Sequence, residues 1–177
     1  MKNNTKKIAT ISILSAMSIC LSYVANFKLP FISFFKPDFS DVPSFVASML
    51  FGEFYGFFIL LITSIIRMFT GDLVTFTTFL MRISSSINII FLGVYRRTHK
   101  YLSLLCILSS ITVTIIRLPL SYNLWVNFYK VSEDIFFHDM RPSIIILTLS
   151  RTLLNLITSK LLYSHLKNKI GDGCQLY

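Results

Sequence analysis

Acid is scarce in this chain, and the usual marks of catalysis are missing. Asp and Glu together number eight, against 17 Lys and Arg in 177 residues. There is no glycine-rich phosphate loop with its lysine, no His-Glu-x-x-His and no Gly-x-Ser-x-Gly. His99, His138 and His165 all fall at or beyond the ends of apolar runs and read as surface residues. Cys20, Cys106 and Cys174 lack ligand spacing, and two of them lie inside apolar runs, so neither a disulfide framework nor a zinc site follows. Internal repeats and low-complexity stretches are absent, which argues against an inverted-repeat carrier. No enzyme, metal or cofactor is expected, and any energised transport would need other chains to supply a nucleotide site.

What remains is apolar. Hydrophobic residues make up 54% of the chain and aromatics 15%, and the mean hydropathy is +0.67. Its natural solvent is lipid. The formal charge of +9 resembles a nucleic-acid signal until the positions are read. The basic residues then fall in short clusters between apolar runs, as cytoplasmic connections do. Nucleic acid is therefore not an expected partner; the bilayer is. Lys2, Lys6 and Lys7 precede the first apolar run as in a secretory signal, but Tyr23 spoils the cleavage site at Ala25, and the run is kept as a helix.

The expected fold class is all-α: a polytopic membrane protein with six helices in one bundle and one domain over residues 1–177. The helices are placed at residues 8–25, 41–51, 54–69, 73–94, 101–122 and 142–166. Basic residues concentrate before the first helix, at Arg96, Arg97 and Lys100, and at Lys167 and Lys169. The positive-inside rule then places both termini in the cytoplasm of a bacterial plasma membrane. Trp125, Tyr122 and Tyr129 suit an outer aromatic belt or the mouth of a site. The connection between the last two helices has room for a short interfacial helix.

Residues 37–70 organise the rest. Asp41 is placed as an N-cap, Pro43 sits in the first turn and Gly52 ends the helix. The ten residues between span about 15 Å, against a hydrocarbon core of roughly 30 Å. Such a helix starts below the membrane surface, so residues 26–40 reach membrane depth as irregular backbone. That is tolerated only where protein covers it or it lines a cavity. The segment reads as an outer lid, with Phe39 among the aromatics able to cover a flat ring.

Arg67, Arg82, Arg117 and Arg151 lie one on each of the last four helices, in the predicted outer leaflet. Each would cost roughly 2.5–3.5 kcal/mol at a helix centre facing lipid, so they are expected to face inward, pair or snorkel. Each also shares a helical face with polar neighbours: Thr63 and Thr70 with Arg67, Thr75, Thr78 and Ser85 with Arg82, Thr114 and Ser121 with Arg117, and Thr148 and Asn155 with Arg151. Four such stripes converging would make a basic pocket for a ligand with a carboxylate, phosphate or electron-rich edge. Asp41 is available to neutralise part of it.

On the first helix, Ala9, Ser12, Ala16 and Cys20 form a face of small side chains that permits close approach of another helix. Together with Asp38-Phe39-Ser40-Asp41-Val42-Pro43 and Phe51-Gly52-Glu53-Phe54-Tyr55-Gly56, this chain resembles the substrate-specific S components of energy-coupling factor (ECF) vitamin transporters. Among these it looks most like the riboflavin-specific members. The resemblance implies high-affinity vitamin binding beneath the loop after the first helix. It also implies a membrane coupling protein that meets the small-residue face at Ser12 and Ala16, and two ATPase subunits. Where the riboflavin pattern has Asn-x-x-Lys on the last helix, this sequence has Thr148-Leu149-Ser150-Arg151, keeping the charge and losing the amide. The extra arginines suit a phosphorylated flavin or a carboxylated vitamin. The alternatives are an S component for an anionic vitamin or precursor other than a flavin, and a membrane assembly protein whose arginines pair with a partner's acids.

Overall fold

Helix accounts for the chain's regular structure. The computed structural model describes residues 2–24, 39–70, 79, 82–98 and 101–170, and no strand occurs among them. The long elements are α1 (Lys2–Val24), α2 (Val42–Phe51), α3 (Glu53–Thr70), α4 (Ser86–Thr98), α5 (Leu102–Tyr122) and α6 (Arg141–Ile170). α5 continues into a wider π-helical stretch, Asn123–Phe128, and the short pieces Glu133–Ile135 and Phe136–Met140 lead into α6.

Several boundaries differ from those expected. α1 begins at Lys2 rather than residue 8, α4 runs on to Thr98, and α6 continues to Ile170. In each case the apolar pattern stops before the backbone hydrogen bonding does. Arg96 and Arg97 thereby fall in the last turn of α4, where cations favour the negative end of the helix dipole. The helix expected over 73–94 is interrupted. Residues 82–84 are helical, Ser85 is a turn, and α4 starts at Ser86, while residues 73–78 lie outside the described residues. The bonds Ser85 N–H to Arg82 C=O (2.8 Å) and Asn88 N–H to Ser85 C=O (3.0 Å) mark a locally tightened, three-residue pitch.

The short helix α2 is the centre of the molecule, buried along nearly its whole length and packed by α1, α3, α4 and α6. Phe45 and Met49 join Leu60, Ile89, Leu92 and Leu156 in one apolar cluster. Ala47 and Phe51 join Leu14 and Ile59 in another. The serines of α2 let neighbours come close and then hold them. Ser48 donates to the Ile89 carbonyl of α4 at 3.1 Å. Opposite Ser44 and Ser48, α3 carries Gly56, where a Cβ would stand 2.6 Å from the Ser44 carbonyl oxygen. The helix ends as expected at Gly52, whose φ of +116° suits glycine.

Around this centre the surface is apolar. Ile8, Ile13, Ile90, Leu104, Ile107, Ile115, Ile146, Ile157 and Leu161 are exposed, while Ser18, Ser40, Thr63 and Asn88 are buried. That inversion suits a bundle dissolved in lipid. Among the described residues, three helical stretches are long and apolar enough to cross a membrane: Lys7–Val24, Leu102–Phe128 and Glu133–Leu166. At the basic end of the bundle, Lys7 stacks over Tyr55, 4.2 Å from the ring centroid. There Arg96 donates to the Phe51 carbonyl and Arg97 pairs with Glu53. Glu53 is thus a partner of α4 as well as the first residue of α3.

Candidate functional site

The site begins at the turn that leads into α2. Phe39–Asp41 form one 3-10 turn leading into α2. Phe39 is half-buried, whereas Ser40 and Asp41 are enclosed. The remainder of the expected lid, residues 26–38, lies outside the described residues. Three segments hold the turn. Ser18 of α1 donates to the Ser40 carbonyl at 2.6 Å and accepts from Thr63 of α3 at 3.0 Å. Arg82, ahead of α4, donates to the Ser40 hydroxyl at 2.9 Å.

Asp41 has a different role from the expected helix cap. Its carboxylate makes no capping bond to α2. Instead the Ser44 hydroxyl donates to the Asp41 carbonyl at 2.6 Å, and the carboxylate is taken up by arginines. Arg82 donates to Oδ1 through Nε at 3.2 Å and Nη2 at 2.8 Å. Arg151 of α6 approaches Oδ2 through Nη2 at 3.4 Å. A buried carboxylate facing two guanidinium groups outcompetes a backbone N–H as a reason for its position, because the arginines lose more by being left without it.

The four arginines are therefore sorted rather than pooled. Arg82 and Arg151 meet on Asp41. Arg117 of α5 is buried on the serines just after Arg82, donating from Nε to Ser84 Oγ at 2.7 Å and from Nη2 to Ser85 Oγ at 2.9 Å. Arg67 of α3 turns toward α1, with Nη2 3.5 Å from the Ser22 carbonyl. Thr148 and Asn155 are buried on the Arg151 side of α6. The pair Arg82 and Asp41 is shut in, with side chains 2% and 3% exposed, while the Arg151 side chain is 25% exposed. Arg151 is thus the accessible end of the triad.

One residue escaped the sequence reading. Asn88 of α4 is fully buried, and neither its amide oxygen nor its nitrogen has a hydrogen-bond partner among the described residues. The three-residue step from Arg82 through Ser85 to Asn88 was its only signal. Arg82 Nη1 is likewise buried with no partner among the described residues. Ala9, Ser12 and Ala16 stand well away from this cluster, exposed on the outer side of α1. Among the described residues no three His, Cys, Asp or Glu side chains gather as metal ligands would.

Comparison with known proteins bears on the family and the fold. The family described as "ECF transporter, substrate-specific component" matches residues 6–169. A stretch of 63 residues, 35% of this chain, is 36% identical to the riboflavin transporter RibU of Staphylococcus aureus (strain TCH60), and spans 33% of that relative's own length. A solved structure described under "Structure and mechanism of the S component of a bacterial ECF transporter" has the same fold. Its TM-score is 0.72 at 27% identity, covering 94% of this chain and 98% of the other. On these matches the chain, a helical membrane bundle, belongs to the substrate-specific components of ECF transporters, which bind a transporter's substrate rather than transform it.

Proposed function

We propose that this protein captures a vitamin, riboflavin or a related flavin, and delivers it to an ECF transporter in a bacterial plasma membrane. The observation that carries the reading is the triad of Asp41, Arg82 and Arg151 at the turn ahead of α2. It is buried, polar and reachable through Arg151. Buried polar groups of this kind cost stability unless they are matched, and a ligand with ring nitrogens and carbonyls supplies acceptors for guanidinium donors. Likeness to a riboflavin transporter over part of the chain supports the flavin. In this reading both termini face the cytoplasm and the triad lies toward the outside. Thr148, Asn155, Arg117 and Phe39 line or support the site. A membrane coupling protein meets the exposed Ala9, Ser12 and Ala16 face, and two ATPase subunits supply the energy.

The test is direct. Protein purified in detergent should carry, or take up from added riboflavin, a yellow fluorescent ligand whose mass is that of a flavin. A different bound mass with no flavin binding on titration would favour the anionic-vitamin alternative. No bound small molecule and no response to either class would leave the assembly-protein reading.

A further inference from the structure

Toward the basic end of the bundle lies a cation that the substrate site does not use. Every other described Lys or Arg on α1 to α6 has a partner in the protein, be it a ring, a carbonyl, a hydroxyl or a carboxylate. Lys160 of α6 is the exception: it is exposed, and no hydrogen bond or ion pair holds it among the described residues. We infer that Lys160 marks a site for an anionic phospholipid of the cytoplasmic leaflet, with the headgroup phosphate on the ammonium and the acyl chains along α5 and α6. The inference takes from the reading above only that the basic end faces the cytoplasm, and it does not depend on the molecule captured.

Depth carries the argument. Lys160 faces the beginning of α5, close enough for its charge to act at Cys106. Cys106 is four residues past Leu102, where α5 starts, and so about 6 Å from that helix end. A lysine stem is long enough to carry its charge that far, which brings the ammonium to headgroup level. The surroundings are apolar: Ile157 and Leu161 of α6 and Leu104 and Leu108 of α5 are exposed. Side chains of this kind belong against acyl chains, where an ammonium without an anion is costly. Snorkelling to water relieves that cost, but a lipid phosphate relieves it and also seats two chains on the apolar pair of helices. Tyr163, three residues on and half-buried, lies within the field of Arg96, so a second cation borders the same patch. The rival occupant is an acidic side chain of a partner protein. Yet α1, which carries the proposed coupling face, packs on α2 and α3, whereas α5 packs on α4 and α6. Lys160 therefore stands on a side left to lipid.

The experiment follows thermal unfolding in detergent while phosphatidylglycerol, phosphatidylcholine or inorganic phosphate is added at fixed ionic strength. Phosphatidylglycerol should stabilise wild type and Lys160→Arg with midpoints within about twofold of each other. Lys160→Met, which keeps the stem and removes the charge, should need about fivefold more, the factor for one cation beside an anionic headgroup. Arg97→Gln removes one charge from the same end of the bundle and should stay within about twofold of wild type. Lys160→Gln decides in the same way if Lys160→Met fails to fold. An unchanged midpoint in the Lys160 variants, an equal shift in Arg97→Gln, or an equal response to phosphatidylcholine overturns the site. So does stabilisation by inorganic phosphate that matches phosphatidylglycerol, which makes it a phosphate site without lipid. Lys160→Met that keeps its lipid response but no longer co-purifies with the coupling protein gives the lysine to that partner and overturns the inference as well. Flavin binding is measured separately, and its outcome leaves the lipid result untouched.

Discussion

Arg82 and Arg151 share one carboxylate but occupy different surroundings, and the difference separates their expected phenotypes. Arg82 is enclosed with Asp41, so Arg82→Ala strands a buried carboxylate. Breaking a pair of this kind costs about 3–5 kcal/mol, to be seen as a lower unfolding temperature in detergent. Arg151 is partly accessible, and Arg151→Ala should weaken ligand binding by about 1.5–3 kcal/mol, the range for a hydrogen bond to a charged group, with a smaller loss of stability. Calorimetry that finds ligand affinity unchanged removes Arg151 from the site. These arginines were legible in the sequence because a charge inside an apolar run has few inexpensive alternatives to facing inward. Asp41 was legible as a residue but not in its role, since a side chain ahead of a helix looks like a cap until a guanidinium arrives from more than a hundred residues away. Asn88 was hardly legible: one amide in an apolar run offers only its three-residue step from Arg82 and Ser85 as a pattern.

At the scale of elements, α3 packs on α2 so closely at Gly56 that no side chain fits there. Gly56→Ala puts a methyl 2.6 Å from a backbone oxygen and 2.8 Å from the Ser48 Cβ. Neither backbone can step aside alone, so the helices must part, at about 1–3 kcal/mol of stability by thermal unfolding. The α1 helix offers the complementary test. Its buried Ser18 bonds the Phe39–Asp41 turn, whereas Ala16 is exposed on the outer side. Ala16→Leu should therefore reduce co-purification with the coupling protein while ligand affinity stays within about twofold of wild type, since surface changes away from packed features cost little. Loss of both would place the helix face inside the bundle's own packing. Helix number and order were readable from the lengths of apolar runs. The ends were not, because Lys2 to Lys7, Arg96 to Thr98 and the stretch to Ile170 extend helices with polar residues. The break at Ser85 was hidden too, since three consecutive serines permit a tightened turn without announcing one.

For the molecule as a whole, the apolar surface and the enclosed polar centre fix where stability comes from. The Glu53–Arg97 pair lies at the exposed basic end, so Arg97→Ala should change stability by no more than about 1 kcal/mol, in contrast to Arg82→Ala. Equal losses in the two variants would mean that the basic end, rather than the centre, holds the bundle together. The bond from Ser18 to the Ser40 carbonyl joins the threshold of the proposed site to a helix whose opposite side is bare. News of an occupied site therefore has only the width of one helix, about 10 Å, to travel before it reaches the surface proposed for the coupling protein, with a single serine hydroxyl as the first relay.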